Sequence, residues 1–231
     1  MERAARREFL TQHFFLQDLP LSDIEEICDR AHVRDYASGE TIFIKGEPTT
    51  GMMGVVKGCV HICTNSEDGK ELILNTIHAG EIFGEIGVLD GGDRTADAVA
   101  VDPTVLLTID QSSFLDVMRR NPEFCIILLG ILCDRIRMTS EQAEDLALLN
   151  LRKRLAKKLI GISQHRDSRA EGQNSVIRLS QKELGSMMGT TREAINKQLR
   201  VWEDQGIIRL GRSEVEIVDE PMLRRIFEPI Q

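Results

Sequence analysis

No stretch of this 231-residue sequence is apolar for long enough to cross a membrane. The longest such run, Phe124 to Cys133, is ten residues, about half of what a bilayer-spanning helix needs. No apolar segment follows Arg3, Arg6 and Arg7, so no signal peptide is visible and a cytosolic (cytoplasmic) protein without a membrane partner is expected. Cysteine pairs are scarce as well. Cys28, Cys59, Cys63, Cys125 and Cys133 are an odd set of five, which in a cytosolic chain speaks against a disulfide framework. Cys59 and Cys63 stand at C-x3-C spacing, but no second close pair completes the four ligands that a zinc or iron–sulfur site usually takes. They read as small residues of a strand. The five histidines form no H-x-x-H or H-E-x-x-H pattern, so no metal is expected. Positive charge is also in deficit, at 29 Lys and Arg against 37 Asp and Glu, a net of −8.

That deficit is unevenly spread. Residues 1–150 carry 13 Lys and Arg against 26 Asp and Glu, a net of −13, whereas residues 151–231 carry 16 against 11, a net of +5. A basic segment behind an acidic one is the footprint of a nucleic-acid-binding domain joined to a domain of another kind. Length and an ordinary composition (42% hydrophobic, 29% charged) suit one large globular domain or two modest ones. Two are expected, residues 1–149 and 150–231.

Residues 8–32 read as short helices burying Leu10, Phe14, Phe15, Leu19, Ile24 and Ile27. From 33 to about 110, short alternating or β-branched runs (Thr41–Ile44, Val55–Cys63, Glu71–Ile77, Ala98–Ile109) are separated by glycines. Such spacing indicates an antiparallel sandwich or roll, with a hairpin turn at Asp68-Gly69. Residues 112–148 are strongly helical, with Pro122 breaking or starting a helix. Leu128, Leu132, Ile136, Thr139, Ala143 and Leu146 recur along one face, close to a coiled-coil seam. A helix of about 25 residues spans roughly 37 Å, more than a small domain covers, so a dimer seam over about 112–149 is expected. Thr139 and Ser140 place hydroxyls in it. Asn150 suits the N-cap of the next helix, which puts a hinge at Leu149-Asn150. The segment His165–Ser175 reads as a polar surface loop.

Within the β-rich part, Phe83-Gly84-Glu85 is followed nine residues after the glutamate by Arg94-Thr95. Glycine permits close backbone approach, Glu85 can accept from a sugar hydroxyl, and Arg94 offers a planar fork to a phosphate. Together they describe a pocket for a small phosphorylated sugar ring. Further on, Ser180-Gln181-Lys182-Glu183 fits a capping box, and Gly189 suits a tight turn. Thr190-Thr191-Arg192-Glu193 then opens a second helix, with Thr190 and Glu193 at capping-box spacing. Ile195, Leu199 and Trp202 form its buried face. Arg192, Glu193, Asn196, Lys197 and Arg200 form the other, and are suited to base edges and phosphates. Two short strands around Arg209–Ser213, including Arg212, complete a winged helix-turn-helix.

On these motifs the chain resembles the bacterial CRP/FNR family of transcription regulators over nearly its whole length. The matching stretches are Phe83-Gly84-Glu85-Ile86-Gly87, Arg94-Thr95-Ala96, Thr139-Ser140-Glu141 and Thr191-Arg192-Glu193. The resemblance implies an α+β fold in which a jelly-roll-like, cyclic-nucleotide-binding β-roll and a long dimerisation helix precede a winged helix-turn-helix domain. It further implies a homodimer binding cyclic AMP or cyclic GMP as allosteric effector, with palindromic double-stranded DNA (TGTGA-like half-sites) and RNA polymerase as partners. In that family the Gly84 and Glu85 positions hold the phosphate edge and the ribose 2′-hydroxyl, and the Arg94 and Thr95 positions grip the cyclic phosphate. The Thr139 position contacts the purine, and Ser140 matches one that reaches the ligand of the opposite subunit. The Arg192, Glu193 and Lys197 positions face the major groove; cyclic-AMP-responsive members usually carry arginine where Lys197 stands, and lysine lacks its bidentate geometry. The oxygen-sensing branch relies on an N-terminal cysteine cluster, which is absent here.

Other classes find less support. Glu85 with Arg94 suggests phosphodiester hydrolysis, but no metal cluster or nucleophile–base pair accompanies them, so an enzyme is not expected. A nucleotide-binding module of a kinase or channel lacks its catalytic or membrane segment. A regulator of the same fold with another effector, or none, stays open.

Overall fold

The computed structural model describes residues 3–12, 16, 19–164 and 175–228; Phe14, Phe15 and residues 165–174 of the expected polar loop lie outside the described residues. The chain forms two compact units, residues 1–66 with 73–136 and residues 67–72 with 137–231. Among the described residues no helix is long and apolar enough to cross a membrane.

The first unit opens with α1 (Arg3–Gln12) and α2 (Leu21–Arg30). Leu10, Leu19, Ile24 and Ile27 are buried, as their periodicity requires. Helix α1 starts earlier than the apolar pattern indicates, because Arg3 Nε donates to Asp29 (2.6 Å) and Arg6 Nη1 to the Ala31 carbonyl (2.6 Å). Strands β1 (His32–Tyr36), β2 (Thr41–Phe43), β3 (Gly51–Lys57), β4 (Cys59–Asn65), β5 (Glu71–His78) and β6 (Ile82–Phe83) follow. Then come α3 (Glu85–Asp90), β7 (Asp97–Ala100) and β8 (Thr104–Asp110). They make two four-stranded sheets, in the orders β1-β8-β3-β6 and β2-β7-β4-β5. Tyr36, Val55 and Leu106 from the first meet Phe43, Val60 and Ala98 from the second in one apolar core. This is the expected roll, and Gly69 (φ +75°) makes the turn between β4 and β5.

Two expected strands are each two. The run Val55–Cys63 breaks at Gly58, whose φ of +91° suits glycine alone; a Cβ there would also lie 2.5 Å from Thr104 Oγ1. The run Ala98–Ile109 breaks at 101–103, where the Asp102 carboxylate accepts from the Cys59 amide (2.9 Å).

The long helical text also divides, into α4 (Gln111–Arg120) and α5 (Pro122–Leu148). Proline's fixed φ and missing N–H fit the first position of the second helix. Asp110 caps α4: burial alone would raise its pKa, but the hydroxyls of Ser112 and Ser113 and the Ser113 amide outweigh burial and hold it at about 2. A folded pKa below the unfolded one stabilises above the unfolded value and loses that contribution as pH falls through the folded one. Asp110→Ala is therefore expected to cost about 1 kcal/mol near neutrality, with the wild-type advantage fading between about pH 4 and pH 2. Thermal melts of both proteins across that range check it.

The exposed apolar stripe of α5 differs in one residue from the expected seam. Leu128 is 1% exposed and joins Phe124 in the first unit's core, while Leu129 stands 58% exposed. With Leu129 in place of Leu128, the set 129, 132, 136, 139, 143 and 146 follows an unbroken alternation of 3 and 4. The earlier 4-4 step from Leu128 drifts off the stripe and into the domain.

The second unit continues with α6 (Leu151–Gln164), β9 (Ser175–Ile177), α7 (Gln181–Met188), α8 (Arg192–Asp204), β10 (Ile208–Gly211), β11 (Glu214–Ile217) and α9 (Glu220–Arg225). Asn150 Oδ1 accepts from the Lys153 amide (3.0 Å), the expected cap. A sheet of order β10-β11-β9 packs with the helices around Leu155, Leu159, Leu184, Ile195, Leu199 and Trp202, all fully buried. Asp219 caps α9, with Pro221 in its first turn and Leu223 reaching the core.

Candidate functional site

In the first unit, β6 runs into Gly84, whose left-handed backbone (φ +76°, ψ 12°) starts α3. The positive φ favours glycine there, and a Cβ would stand 2.6 Å from Arg94 Nη1, so the guanidinium would have to shift. Arg94 is only 6% exposed. Its Nη1 donates to the Gly84 carbonyl (2.9 Å), its Nη2 to the Gly51 carbonyl (2.7 Å), and its guanidinium lies 4.2 Å from the centre of the Phe43 ring. Burial lowers its pKa against the opposing pull of Glu47 and Glu85, and an arginine so placed keeps its charge.

Glu85 is 1% exposed. Its Oε1 accepts from Arg135 Nη1, and Arg135 Nη2 donates to the Ile82 carbonyl. Its Oε2 is sealed from water and has no hydrogen-bond partner among the described residues. Phe83 and Ala96 are buried beside these groups in sequence, while Thr95 and Ile86 are exposed. The structure thus joins Gly84, Arg94 and Glu85 into one polar cluster and adds Phe43, Gly51 and Arg135. Arg135 carries no motif of its own; only the folded position of α5 brings it to Glu85. Thr139 and Ser140 are exposed on α5 within the second unit. Cys59 is half-buried and Cys63 buried, and no cluster able to hold a metal ion is present among the described residues.

In the second unit, Ser180 completes the expected capping box: its Oγ accepts from the Glu183 amide (3.1 Å), and Glu183 Oε2 accepts from the Ser180 amide (2.7 Å). Gly189 ends α7 in the left-handed conformation. The cap of α8 is Thr191, accepting from the Ala194 amide (3.2 Å), and not Thr190. Thr190 belongs to the turn, its amide donating to the Gly185 carbonyl (3.0 Å). The Glu193 carboxylate is held below its usual range by its own backbone amide and the Thr191 hydroxyl.

Arg192, Glu193, Lys197 and Arg200 are exposed, whereas Asn196 is half-buried, its Oδ1 sealed and without a partner among the described residues. Arg200 also pairs with Glu203 (2.8 Å). A cleft of about 490 Å³ gathers Ser180, Arg192 and Arg212 with Gln181, Lys182 and Ser213. It brings the starts of both helices to the wing turn. Gln181 and Lys182 stand inside the capping-box motif, and nothing local separates Lys182 from a solvated lysine; only the fold places both in the cleft.

A β-roll with a buried arginine–carboxylate cluster, on one chain with a winged helix-turn-helix whose cleft is cationic, defines a DNA-binding protein with a separate ligand-binding roll. Comparison with known proteins gives this class its family. Residues 33–121 match the cyclic nucleotide-binding domain and residues 153–226 the Crp-like helix-turn-helix domain. The cAMP-activated global transcriptional regulator CRP of Pasteurella multocida is 30% identical over 84% of this chain and 94% of its own length. The CRP-like cAMP-activated global transcriptional regulator of Mycobacterium tuberculosis is 29% identical over 94% of this chain and 98% of its own. In fold, the chain matches the c-di-GMP-responsive global regulator CLP of Xanthomonas campestris with a TM-score of 0.76 at 22% identity, over 86% of this chain and 99% of that one. The chain belongs to the CRP/FNR family of transcription regulators. It is a cyclic-nucleotide-binding, DNA-binding transcription regulator, and the family's members are transcription factors, not enzymes.

Proposed function

We propose that this regulator acts as a homodimer in which each β-roll binds one cyclic nucleotide and the recognition helices then read a palindromic operator. The observation that carries the reading is Glu85, a carboxylate 1% exposed with one oxygen held by Arg135 and the other sealed without a partner among the described residues. A buried acceptor left unmet costs about 1–3 kcal/mol, and a ribose 2′-hydroxyl is a donor suited to meet it. Arginine has five N–H donors. Two from Arg94 go to carbonyls, which leaves others for a cyclic phosphate, joined by the exposed Thr95 hydroxyl. Phe83, Gly84, Ile86 and Ala96 complete the proposed wall.

In this reading Thr139 meets the purine and Ser140 reaches the nucleotide held by the partner subunit. Cyclic AMP is the proposed effector, supported by the names of the relatives. Cyclic GMP is the rival, since Thr139 and Ser140 hydroxyls both donate and accept. Differential affinity for two dimer states supplies the coupling, of the order of 1–3 kcal/mol in allosteric systems. Rotation of the DNA-binding domains about Leu149-Asn150 would bring both recognition helices into major grooves about 34 Å apart. The bound dimer would then meet RNA polymerase.

Calorimetric titration with cyclic AMP and cyclic GMP, with and without a palindrome of TGTGA-like half-sites, tests this. DNA is expected to tighten one nucleotide by roughly 5–150-fold; equal affinity with and without DNA overturns the coupling, and no binding of either nucleotide overturns the effector. For the reader, Ser180, Thr190, Thr191, Arg192, Glu193, Asn196, Lys197, Arg200 and Arg212 are the proposed contact set. Lys197→Ala is expected to relax one position of each half-site, worth about 1–3 kcal/mol. A binding-site selection on wild type and variant reads that change; a uniform loss across sequences reassigns Lys197 to phosphate.

A further inference from the structure

The second unit carries another cationic cleft, of about 370 Å³, between the start of α6 and α9. Asn150, Arg152 and Lys153 line it from one side and Met222, Arg225 and Ile226 from the other, with Ile207 between. No residue of α8 lines it. We propose that this cleft docks an acidic amphipathic segment of a partner protein.

The charge is one-sided. Arg152, Lys153 and Arg225 are exposed and pair with no carboxylate among the described residues. The neighbouring acids are already engaged. Glu220 and Glu228 both pair with Arg224 (2.7 and 3.6 Å), Asp219 caps α9 through the Met222 amide (2.9 Å), and Asp145 holds Lys157 (2.8 Å). The start of the 14-residue α6 adds its own positive end to the same rim.

The floor is apolar. Met222 is 45% exposed, Ile226 is half-buried, and Ile207 forms part of the core beneath. A solvent-facing methionine is adaptable contact surface for varied apolar side chains. A sugar–phosphate backbone would satisfy the cations but bring no apolar group to Met222 and Ile226. A segment with carboxylates around one or two leucine or phenylalanine side chains satisfies both features.

The test uses the full-length protein and a fluorescein-labelled synthetic peptide of about twelve residues with Leu and Phe on one helical face and Asp and Glu on the others. An all-Glu peptide of equal length and a non-specific DNA duplex serve as comparators. Fluorescence anisotropy is expected to show the amphipathic peptide binding at least about tenfold more tightly than the all-Glu peptide. Arg225→Glu and Met222→Ser are each expected to weaken it about tenfold, and Lys182→Glu at the wing cleft to leave it unchanged. Unaltered operator affinity in the Met222 and Arg225 variants certifies their fold. Equal binding of the two peptides, or no loss in these variants, overturns the proposal. So does a fall in duplex affinity with a shallower salt dependence in Arg225→Glu, which marks a phosphate-contact surface instead.

Discussion

Arg94→Ala is expected to abolish nucleotide-dependent DNA binding while the protein stays folded. Hydrogen bonds from a charged donor are worth about 1.5–3 kcal/mol each, so losing a two-pronged grip on a phosphate lowers affinity roughly 10²–10⁴-fold. The same side chain also donates to the Gly84 and Gly51 carbonyls, so its removal leaves buried acceptors unmet at a cost of about 1–3 kcal/mol each. Together the two cost about 2–6 kcal/mol, against a total stability of about 5–15 kcal/mol for an ordinary domain, so the fold is expected to be weakened but retained. Calorimetry with cyclic AMP and a thermal melt separate the two effects. Arg94→Lys sharpens the comparison, because lysine keeps the charge but cannot bridge two carbonyls and still present a fork. A full nucleotide response in Arg94→Ala would sink the phosphate assignment.

The geometry around Arg94 also explains why its neighbours were readable in one dimension and Arg135 was not. Gly84, Glu85 and Arg94 lie within one short stretch of sequence, and each residue type points to one chemical task. Arg135 stands 50 residues from Glu85, among the charges of a helix, and nothing local separates it from a solvated arginine. The antiparallel roll was legible through its glycine turns and alternating runs. The boundaries at Gly58 and Asp102 were not, because apolar alternation continues across both corners; the strand is stopped at one by the positive φ and at the other by the carboxylate–amide bond of Asp102 beside Pro103, which has no N–H to donate.

Caps show the same division. Ser180 and Asn150 perform as local chemistry demands. Thr190 and Thr191 are adjacent and equally able to cap, and the choice falls to Thr191 because the Thr190 amide is needed by the Gly185 carbonyl to close the turn. The Leu128/Leu129 pair is a similar tie. Both are apolar, one place apart, and only the core around Phe124 decides which turns inward. Sequence patterns specify what a segment can do, and tertiary contacts choose between neighbours that can both do it.

That choice sets up the second large effect. If α5 forms the proposed dimer seam, Ile136→Glu is expected to shift the protein to monomer and with it remove palindrome binding. Ile136 is 65% exposed, in a stripe with Leu129 (58%) and Leu146 (54%). Two-fold pairing would bury all three against their mates, at about 1.5–3 kcal/mol for each fully buried side chain. A glutamate there puts two like charges face to face in a desolvated seam. The combined loss of apolar burial and added repulsion is estimated at about 3 kcal/mol or more, over a hundredfold in dimer affinity. Leu128→Ala provides the contrast, because Leu128 is buried in its own domain. It should lower the melting temperature, at a cost of about 2–5 kcal/mol, yet leave the dimer intact where the protein remains folded. Analytical ultracentrifugation of both variants below their melting temperatures reads the difference. A dimeric Ile136→Glu protein would move the seam to another face.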